Sequence, residues 1–418
     1  MQRSSWSATT SVVPPVGRGF FPLDEALGLV PEQHFTPGLV EGMVRLGSHL
    51  PFSQVPALIA HFTGATVGTE TVRRLTEAAG AAQLACEERE LAQILQELLD
   101  PPAGPPVQQV SLDGAMVPLV GGVWAEVKTL AIGTVEPAGD DRAAGVVRTT
   151  ALSYTSRLTD AVSFGQLATL ETHRRGTLSA GTVVAVNDGA VWIQEVLDLQ
   201  CPQAVRILDF PHAVEHLAQV AQACWAAESP DARGWLEAQV DALLSGQELA
   251  VLTGLAALSE SSALPAEARQ VALSCHGYFA RRREQLRYAA FRAAGYPIGS
   301  GCVESANKLL VEARLKGAGM HWQRDNVNAM LALRCLERNG RWTAAWPALW
   351  QELRCQARSR SRQRRQCRQS LPPPAPPPPP VPAALPVPPR PARPKLVVDG
   401  KPTADHPWRR SLLSRAKR

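Results

Sequence analysis

The sequence has no paired cysteines, no membrane-length apolar run and no basic-then-apolar leader. Its eight cysteines contain no CxxC pair, so we expect reduced thiols and neither a disulfide framework nor a zinc ribbon. No apolar run approaches the roughly 18 residues that a membrane span needs, and the N-terminus lacks a signal pattern. We therefore expect a cytoplasmic protein with no membrane partner.

Acidic residues are scarce toward the C-terminus, and the charge is therefore uneven. From Arg354 to the end the sequence has 16 Lys and Arg but only 2 Asp, about +14, so the first 353 residues carry about −9 within a net charge of +5. Prolines cluster in the same stretch, and residues 353–418 are predicted to be a disordered Pro/Arg-rich tail. Such a tail could bind nucleic acid through counterion release, or it could be solvated without a partner.

Three short stretches each carry one acid: VSLDGAMVPLV has Asp113, TVVAVNDGAVWI has Asp188, and GYPIGSGCVESANKLL has Glu304. A carboxylate near apolar surface costs free energy unless it is compensated, and three gathered acids would be compensated by cations. Oxygen ligands of this kind suit Mg²⁺ or Mn²⁺. The stretches therefore predict a site that uses two such ions for phosphoryl transfer on nucleic acid. Taken singly, each Asp could instead be a turn residue, and Glu304 a helix N-terminal acid.

Between residues 107 and 227 the hydrophobic period predicts the element order β-β-β-α-β-α-β-α. This is an α/β pattern, and the order is that of the ribonuclease H-like fold. There the first strand is central and lies beside the fourth, so an acid on strand one meets an acid at the end of strand four. Asp113 and Asp188 occupy those two places.

The chain is predicted to have five segments. They are an N-terminal helical, helix-turn-helix-like region (1–100), the first part of the ribonuclease H-like core (107–227), a helical insertion (228–295), the end of the catalytic core with the Glu (296–352) and the tail (353–418).

The N-terminal region resembles a helix-turn-helix because short helical patterns are separated by a glycine-containing turn. Thr69 is a candidate N-cap of the third helix. In this geometry Thr69, Thr71, Arg73 and Arg74 could face a DNA groove or phosphates. A small helical bundle that binds no DNA is the alternative.

Basic residues near the third acid are further candidates for DNA contact. Arg281 and Arg282 belong to the run YFARRREQLRY, which could be a phosphate-facing edge or a solvated helix face. Lys308 lies four residues after Glu304, on the same helix face.

The stretch GMHW contains two side chains that could stack on a DNA base, His321 and Trp322. Core packing is the alternative for Trp322, and it is the role that we favour from the sequence.

With VSLDGAMVPL, VNDGAVWI, ILDFPHAVEHL, YPIGSGCVESANK and ARLKGAGMHW in place, the chain resembles ISKra-type DDE transposases of bacterial insertion sequences, which are distantly similar to Mutator-type enzymes. The resemblance covers roughly residues 20–350. It implies that Asp113, Asp188 and Glu304 are the catalytic triad and hold two Mg²⁺ or Mn²⁺ ions. It also implies binding of double-stranded DNA, both element ends and target, by a nucleoid-associated homodimer.

Mutator-type enzymes also carry a motif of Cys or Asp, two residues and His after the second acid, and Asp209 and His212 fit it. Asp209 also ends an apolar strand, so it is the rival of Asp188 as the second metal ligand. His212 could position DNA or a water, orient Asp209, or simply pack. His216 has the weaker claim of the two histidines.

Two other functions remain open from the sequence. A transposase that has lost activity could act as a DNA-binding regulator, although three intact acids argue against it. Another ribonuclease H-like nuclease, such as a junction resolvase or an RNase, would rarely need both a long helical insertion and a helix-turn-helix.

Overall fold

The computed structural model describes residues 11–13, 18–20, 35–136, 147–226, 229–370, 397–398 and 401–402. The chain divides into two compact units, Met1–Gln363 and Arg364–Arg418. The first four predicted segments all fall in the first unit. Within the described parts of the chain, no helix combines the length and apolar character that crossing a bilayer requires.

A five-stranded mixed sheet is the centre of the first unit. Its strands are β3 (Val107–Pro118), β4 (Trp124–Glu136), β5 (Arg148–Arg157), β6 (Thr182–Asn187) and β7 (Val205–Leu208). They lie in the order β5-β4-β3-β6-β7. The pairs β3–β4 and β4–β5 are antiparallel, and the pairs β3–β6 and β6–β7 are parallel. The α/β class and the three antiparallel strands are confirmed. Two short strands, β1 (Ser11–Val13) and β2 (Arg18–Phe20), pair separately.

Alternation along β3 explains how helices cover both faces of the sheet. Val110 and Leu112 pack with the helices α4 (Ala161–Arg174) and α5 (Val191–Gln200) on one face. Ala115 and Val117, displaced by an odd number of residues, pack on the opposite face in another core cluster. Asp113 has the same parity as this second pair, so it points to the face where the third acid arrives.

The N-terminal helices are α1 (Pro37–His49), α2 (Val55–Thr63) and α3 (Thr69–Glu97). A short third helix was expected, but α3 runs for 29 residues because no proline interrupts it and its first half packs on the C-terminal helices. Gly80 allows this close packing, since a Cβ there would lie 2.2 Å from the carbonyl oxygen of Ala329. Gly68, not Thr69, is the N-cap.

The segment after β7 is helical throughout its described residues, as predicted. It contains α6 (Phe210–Cys224), α7 (Pro230–Leu244), α8 (Glu248–Glu260), α9 (Ala266–Ala280) and α10 (Tyr288–Ala293). These helices share one core with β6 and β7. The insertion is therefore packed on β6 and the edge strand β7, the two strands that lead to Asp188 and Asp209.

The C-terminal helices are α11 (Gly301–Ala306), a π-helix (Asn307–Glu312), α12 (Ala313–Leu315), α13 (Arg324–Arg338) and α14 (Trp342–Ser370). The predicted tail boundary at 353 needs correction, because α14 continues to Ser370. Arginine favours helices, and the first proline of the tail comes only at Pro372. The polyproline stretch lies outside the described residues. In the second unit, β8 (Val397–Val398) pairs antiparallel with β9 (Lys401–Pro402).

Candidate active site

Three neighbouring parallel strands bring three aspartates to one level. β3 and β6 pair as far as Val110 opposite Ala185, and Asp113 and Asp188, three residues further along each chain segment, line the same cavity. β6 and β7 pair as far as the residues just before Asp188 and Asp209. Because parallel strands lie about 4.8 Å apart, the two acids that the sequence placed on neighbouring strands do lie side by side.

Two side chains on the same face of β3, Gln109 and Asp113, contact the segment that carries Glu304. Gln109 donates from Nε2 to the carbonyl of Gly299 at 3.0 Å. Asn307 donates from Nδ2 to Asp113 Oδ2 at 2.8 Å. Glu304 lies between these two contacts, in the first turn of α11. Two amide side chains, Gln109 on β3 and Asn307 after α11, therefore join β3 to the segment that carries Glu304.

Asp209 ties the end of β7 to the turn before α11. Its Oδ2 accepts the main-chain N–H of His212 at 3.0 Å, and its Oδ1 accepts that of Ser300 at 2.6 Å. The main-chain N–H of Phe210 also donates to the carbonyl of Ile298 at 2.9 Å. Asp209 is only 4% exposed. Asp209 is more deeply buried than the partly buried Asp113 and Asp188, and its contacts give it a positioning role at the turn before Glu304.

These contacts border an open cavity of about 150 Å³, which we call the acidic cleft. Its lining residues are Leu112, Asp113, Asp188, Asp209, Pro211, His212, Glu215, Ser300 and Glu304. Asp113 and Asp188 are partly buried, whereas Glu304 is exposed. Among the described residues, no Lys or Arg forms an ion pair with any of these three carboxylates. The protein thus gathers the acids without neutralising them.

The pKa of Asp113 depends on its burial and on the charges of the neighbouring acids. Burial raises the pKa of the Asp113 carboxyl above its usual range, and the charges of Asp188 and Glu304 raise it further. Hydrogen bonds from the Gly114 N–H, at 2.7 Å, and from Asn307 lower the pKa and offset part of this effect. The ionised form of Asp113 is therefore less favourable than that of a solvated aspartate, and a positive charge in the cleft would stabilise it.

The donor set fits Mg²⁺ or Mn²⁺ in its chemistry, because Asp113, Asp188 and Glu304 offer only hard carboxylate oxygens. In the part of the chain that the structure describes, no three His, Cys, Asp or Glu side chains are already arranged as ligands of one ion. The three carboxylates line the same cleft without forming a preassembled ligand set, and binding of a divalent cation would bring them closer together.

Asp188 is fixed from two sides. Its Oδ1 accepts the N–H of Ala190 at 2.9 Å, which shapes the turn after β6. Its main-chain carbonyl accepts the hydroxyl of Tyr278, which belongs to α9. Arg282, just after α9, donates to the carbonyl of Gly189 at 2.7 Å. Arg282 was predicted to contact DNA, but its guanidinium is committed to this main-chain contact.

Of the two histidines in the first half of α6, His212 lines the acidic cleft and His216 lines a neighbouring cavity. His212 and His216 approach at 3.2 Å between their Nε2 atoms. Burial lowers the pKa of His216, and the charge of His212 lowers it further. The His212 ring lines the cleft, 3.7 Å from Glu215. His212 is the better placed of the two to meet a substrate.

The predicted DNA-binding residues of α3 divide into two groups. Arg73 is bound to carboxylates of its own helix, at 2.5 Å from Glu70 and 2.6 Å from Glu77. Thr69 and Arg74 are exposed, and Thr71 is partly buried. Only Thr69 and Arg74 are open enough to contact a phosphate without rearrangement.

The remaining predicted contacts are equally mixed. Arg281, Lys308 and His321 are exposed. Trp322 is 7% exposed, its Nε1 donates to the carbonyl of Leu315 at 3.2 Å, and it packs in the core. Of the two roles considered for Trp322, core packing is the one that fits.

Sequence reasoning missed several side chains that build the cleft. Asn307 is one helix turn after Glu304 on the same face, and that spacing was a usable signal. Asn187 directly precedes Asp188, and its Oδ1 accepts the N–H of Leu112 where β3 and β6 separate. Tyr278 had no signal, because its contact spans 90 residues.

The chain matches no known protein-family model, and a search of curated proteins finds no relative. The function must therefore be inferred from the acidic cleft itself.

Proposed function

We propose that the chain is a DDE transposase of the ISKra type, which cuts and joins DNA with divalent cations. One observation carries the proposal: Asp113, Asp188 and Glu304 come from distant parts of the chain and line one cleft without a pairing cation from the described residues. Such a set favours metal-dependent phosphoryl transfer over a structural role, because the structural carboxylates Glu87, Glu90 and Glu171 are each paired with an arginine.

The strand order supports a ribonuclease H-like core. β3 is central, β6 lies beside it in parallel, and the first three strands of the sheet form an antiparallel meander. The long helical segment between the second and third acids agrees with the insertion that the resemblance implies. The expected neighbours in such a core, an acid on the first strand and one after the fourth, are Asp113 and Asp188.

The chemistry consists of two in-line displacements at phosphorus, DNA cleavage by water and then attack of the released 3′-hydroxyl on target DNA. Two bound Mg²⁺ ions would stabilise the attacking and leaving oxygens. Asp113, whose carboxyl is subject to the charges of both Asp188 and Glu304, would help to hold these ions. Asp188 would hold one ion and Glu304 the other. Asp209 keeps the turn before α11 in place.

Double-stranded DNA is the proposed partner, both as element ends and as target. Exposed arginines on α14, such as Arg358, Arg360 and Arg362, add positive charge that suits phosphates. A homodimer is proposed because two element ends must be cut together. DNA and dimer both follow from the proposed reaction.

Cleavage of labelled terminal-repeat DNA in Mg²⁺ tests the proposal. We expect Asp113→Asn, Asp188→Asn and Glu304→Gln each to reduce cleavage by about 100-fold or more, because each removes a ligand. Asp209→Asn should retain cleavage at a temperature where it is folded. If Asp188→Asn cuts and Asp209→Asn does not, the second ligand is Asp209.

The same assay separates the other functions. Wild type that binds the repeats but never cuts them with any metal would indicate a regulator. Cleavage without strand-transfer products would indicate another nuclease of ribonuclease H-like type.

A further inference from the structure

The helical insertion makes a direct contact with the turn that carries the second acid. The Tyr278 hydroxyl donates to the carbonyl of Asp188. Arg282 donates from Nη2 to the carbonyl of Gly189 at 2.7 Å and from Nη1 to the carbonyl of Tyr278 at 3.2 Å. Two consecutive carbonyls at the end of β6 are thus held by one short stretch of the insertion.

The side chains that make this contact are themselves braced. The Arg282 guanidinium lies 4.0 Å from the centre of the Tyr278 ring, a cation–π arrangement. The ring of His216 stacks on the same tyrosine at 4.4 Å. Tyr278 is therefore fixed both by Arg282 and by α6, which begins at the end of β7.

The turn itself is built for this approach. Gly189 has φ +80°, and a Cβ there would lie 2.5 Å from Arg282 Nε and 2.9 Å from the Tyr278 hydroxyl oxygen. Only glycine adopts this conformation readily and leaves room for both side chains. The glycine after Asp188 is needed for the contact as well as for the turn.

We infer that Tyr278 and Arg282 are positioning residues that hold Asp188 in the orientation needed to bind a divalent cation. The inference rests on the proposed function and extends it, because it gives the insertion a role in the chemistry at the second acid. Fixing the two peptides that directly follow the Asp188 Cα, Asp188–Gly189 and Gly189–Ala190, limits the directions in which the Asp188 carboxylate can point. Partners of a ligand that fix its orientation commonly change metal affinity by 10–100-fold when they are removed.

Mn²⁺ binding to the full chain, followed by the electron paramagnetic resonance signal of free Mn²⁺, tests this inference without relying on activity. We expect Tyr278→Phe and Arg282→Gln each to weaken one Mn²⁺ site by about tenfold. Arg282→Lys, which keeps the charge but loses the planar fork, should fall between wild type and Arg282→Gln.

Two variants of the same helical region are matched controls. Tyr288→Phe removes another buried hydroxyl, which donates to the carbonyl of Leu208 at 3.0 Å. Arg292→Gln removes an exposed positive charge. Both should leave Mn²⁺ affinity within about twofold of wild type, even where Tyr288→Phe lowers thermal stability as much as Tyr278→Phe.

The outcomes separate the inference from the function on which it rests. If Asp188→Asn loses a Mn²⁺ site while Tyr278→Phe and Arg282→Gln bind like wild type, the positioning role is wrong and the metal site stands. If Asp188→Asn does not change Mn²⁺ binding, the proposed metal site is wrong and the positioning role with it. In cleavage assays, a raised Mg²⁺ requirement that excess Mg²⁺ overcomes supports the positioning role.

Discussion

The acidic cleft and a second charged region of the same unit use carboxylates in opposite ways. The second region, the paired-charge cluster, consists of Glu87, Glu90, Glu171, Arg157, Arg174 and Arg341, between α3, α4, β5 and the start of α14. There each acid is bound to an arginine, and Glu171 accepts two hydrogen bonds from Arg341 at 2.6 and 2.7 Å. In the acidic cleft, Asp113 is held by an amide and a main-chain N–H.

This difference indicates which carboxylates stabilise the fold and which are available to a ligand. An acid paired with arginine has its charge balanced within the protein, so its loss should cost stability. An acid held near other acids has an unfavourable charge, so its loss should cost function and relieve the fold. Four predictions test this contrast.

The largest effect is expected in the paired-charge cluster, for Glu171→Gln. Glu171 is 1% exposed and its partner Arg341 is 29% exposed. We expect the free energy of unfolding to fall by about 2–3 kcal/mol, somewhat less than for a fully buried pair. Urea unfolding measures it. The double variant Glu171→Gln with Arg341→Met should recover part of the loss, and equal losses in both would contradict the pairing argument.

Asp209→Asn should give the next largest effect. Asparagine offers one acceptor where Asp209 uses two, so one of the N–H donors of His212 and Ser300 loses its partner. We expect a loss of about 2 kcal/mol, as for hydrogen bonds to charged groups. Thermal unfolding without metal is the measurement. A variant as stable as wild type would show that Asp209 does not tie these segments together.

Mg²⁺ should stabilise the wild type through the acidic cleft. At about ten times the dissociation constant, a single site adds about 1.4 kcal/mol to the free energy of unfolding. Melting temperature as a function of Mg²⁺ concentration measures this. Glu171→Gln should show the same rise as wild type, because it leaves the cleft intact, whereas Asp113→Asn should show little. A rise in Asp113→Asn equal to that of wild type would place the ion elsewhere.

The smallest effect is a gain, for Asp113→Asn without metal. The pKa of Asp113 is raised in the folded state, so between the unfolded and folded pKa values the folded state binds more protons, and stability falls as pH rises through this window. Asparagine cannot ionise, and its amide can donate to Asn307 once that side chain turns over, because Asn307 Oδ1 accepts no hydrogen bond from the described residues. The variant should therefore melt about 1–2 °C higher than wild type at pH 7.

Unfolding in EDTA from pH 8 to pH 4 tests the sign, because the gain of Asp113→Asn should shrink toward the acid end. A variant less stable than wild type at pH 7 would mean that other contacts of Asp113, such as the one from Asn307, outweigh its charge.

Much of the fold was readable from the sequence because its elements are local patterns. The apolar runs around Asp113 and Asp188 have strand periodicity, and Pro211 at the first turn marks the start of α6. The continuity of α3 past Gly80 was not readable from the sequence, because it is supported by packing of Gly80 on Ala329. We predicted no helix at the start of the tail because the stretch from 353 onward is rich in proline and arginine as a whole, although its first residues are rich in helix-favouring arginines.

By itself the sequence determined the α/β class, the helical insertion and the three candidate acids, since local patterning specifies elements and acids at strand ends are visible in the chain. Only the tertiary structure decided which partners hold these acids. Asn307 reaches Asp113 across 194 residues and Tyr278 reaches Asp188 across 90. Contacts of that range depend on how helices pack on the sheet, and a pattern of neighbouring residues does not encode them individually.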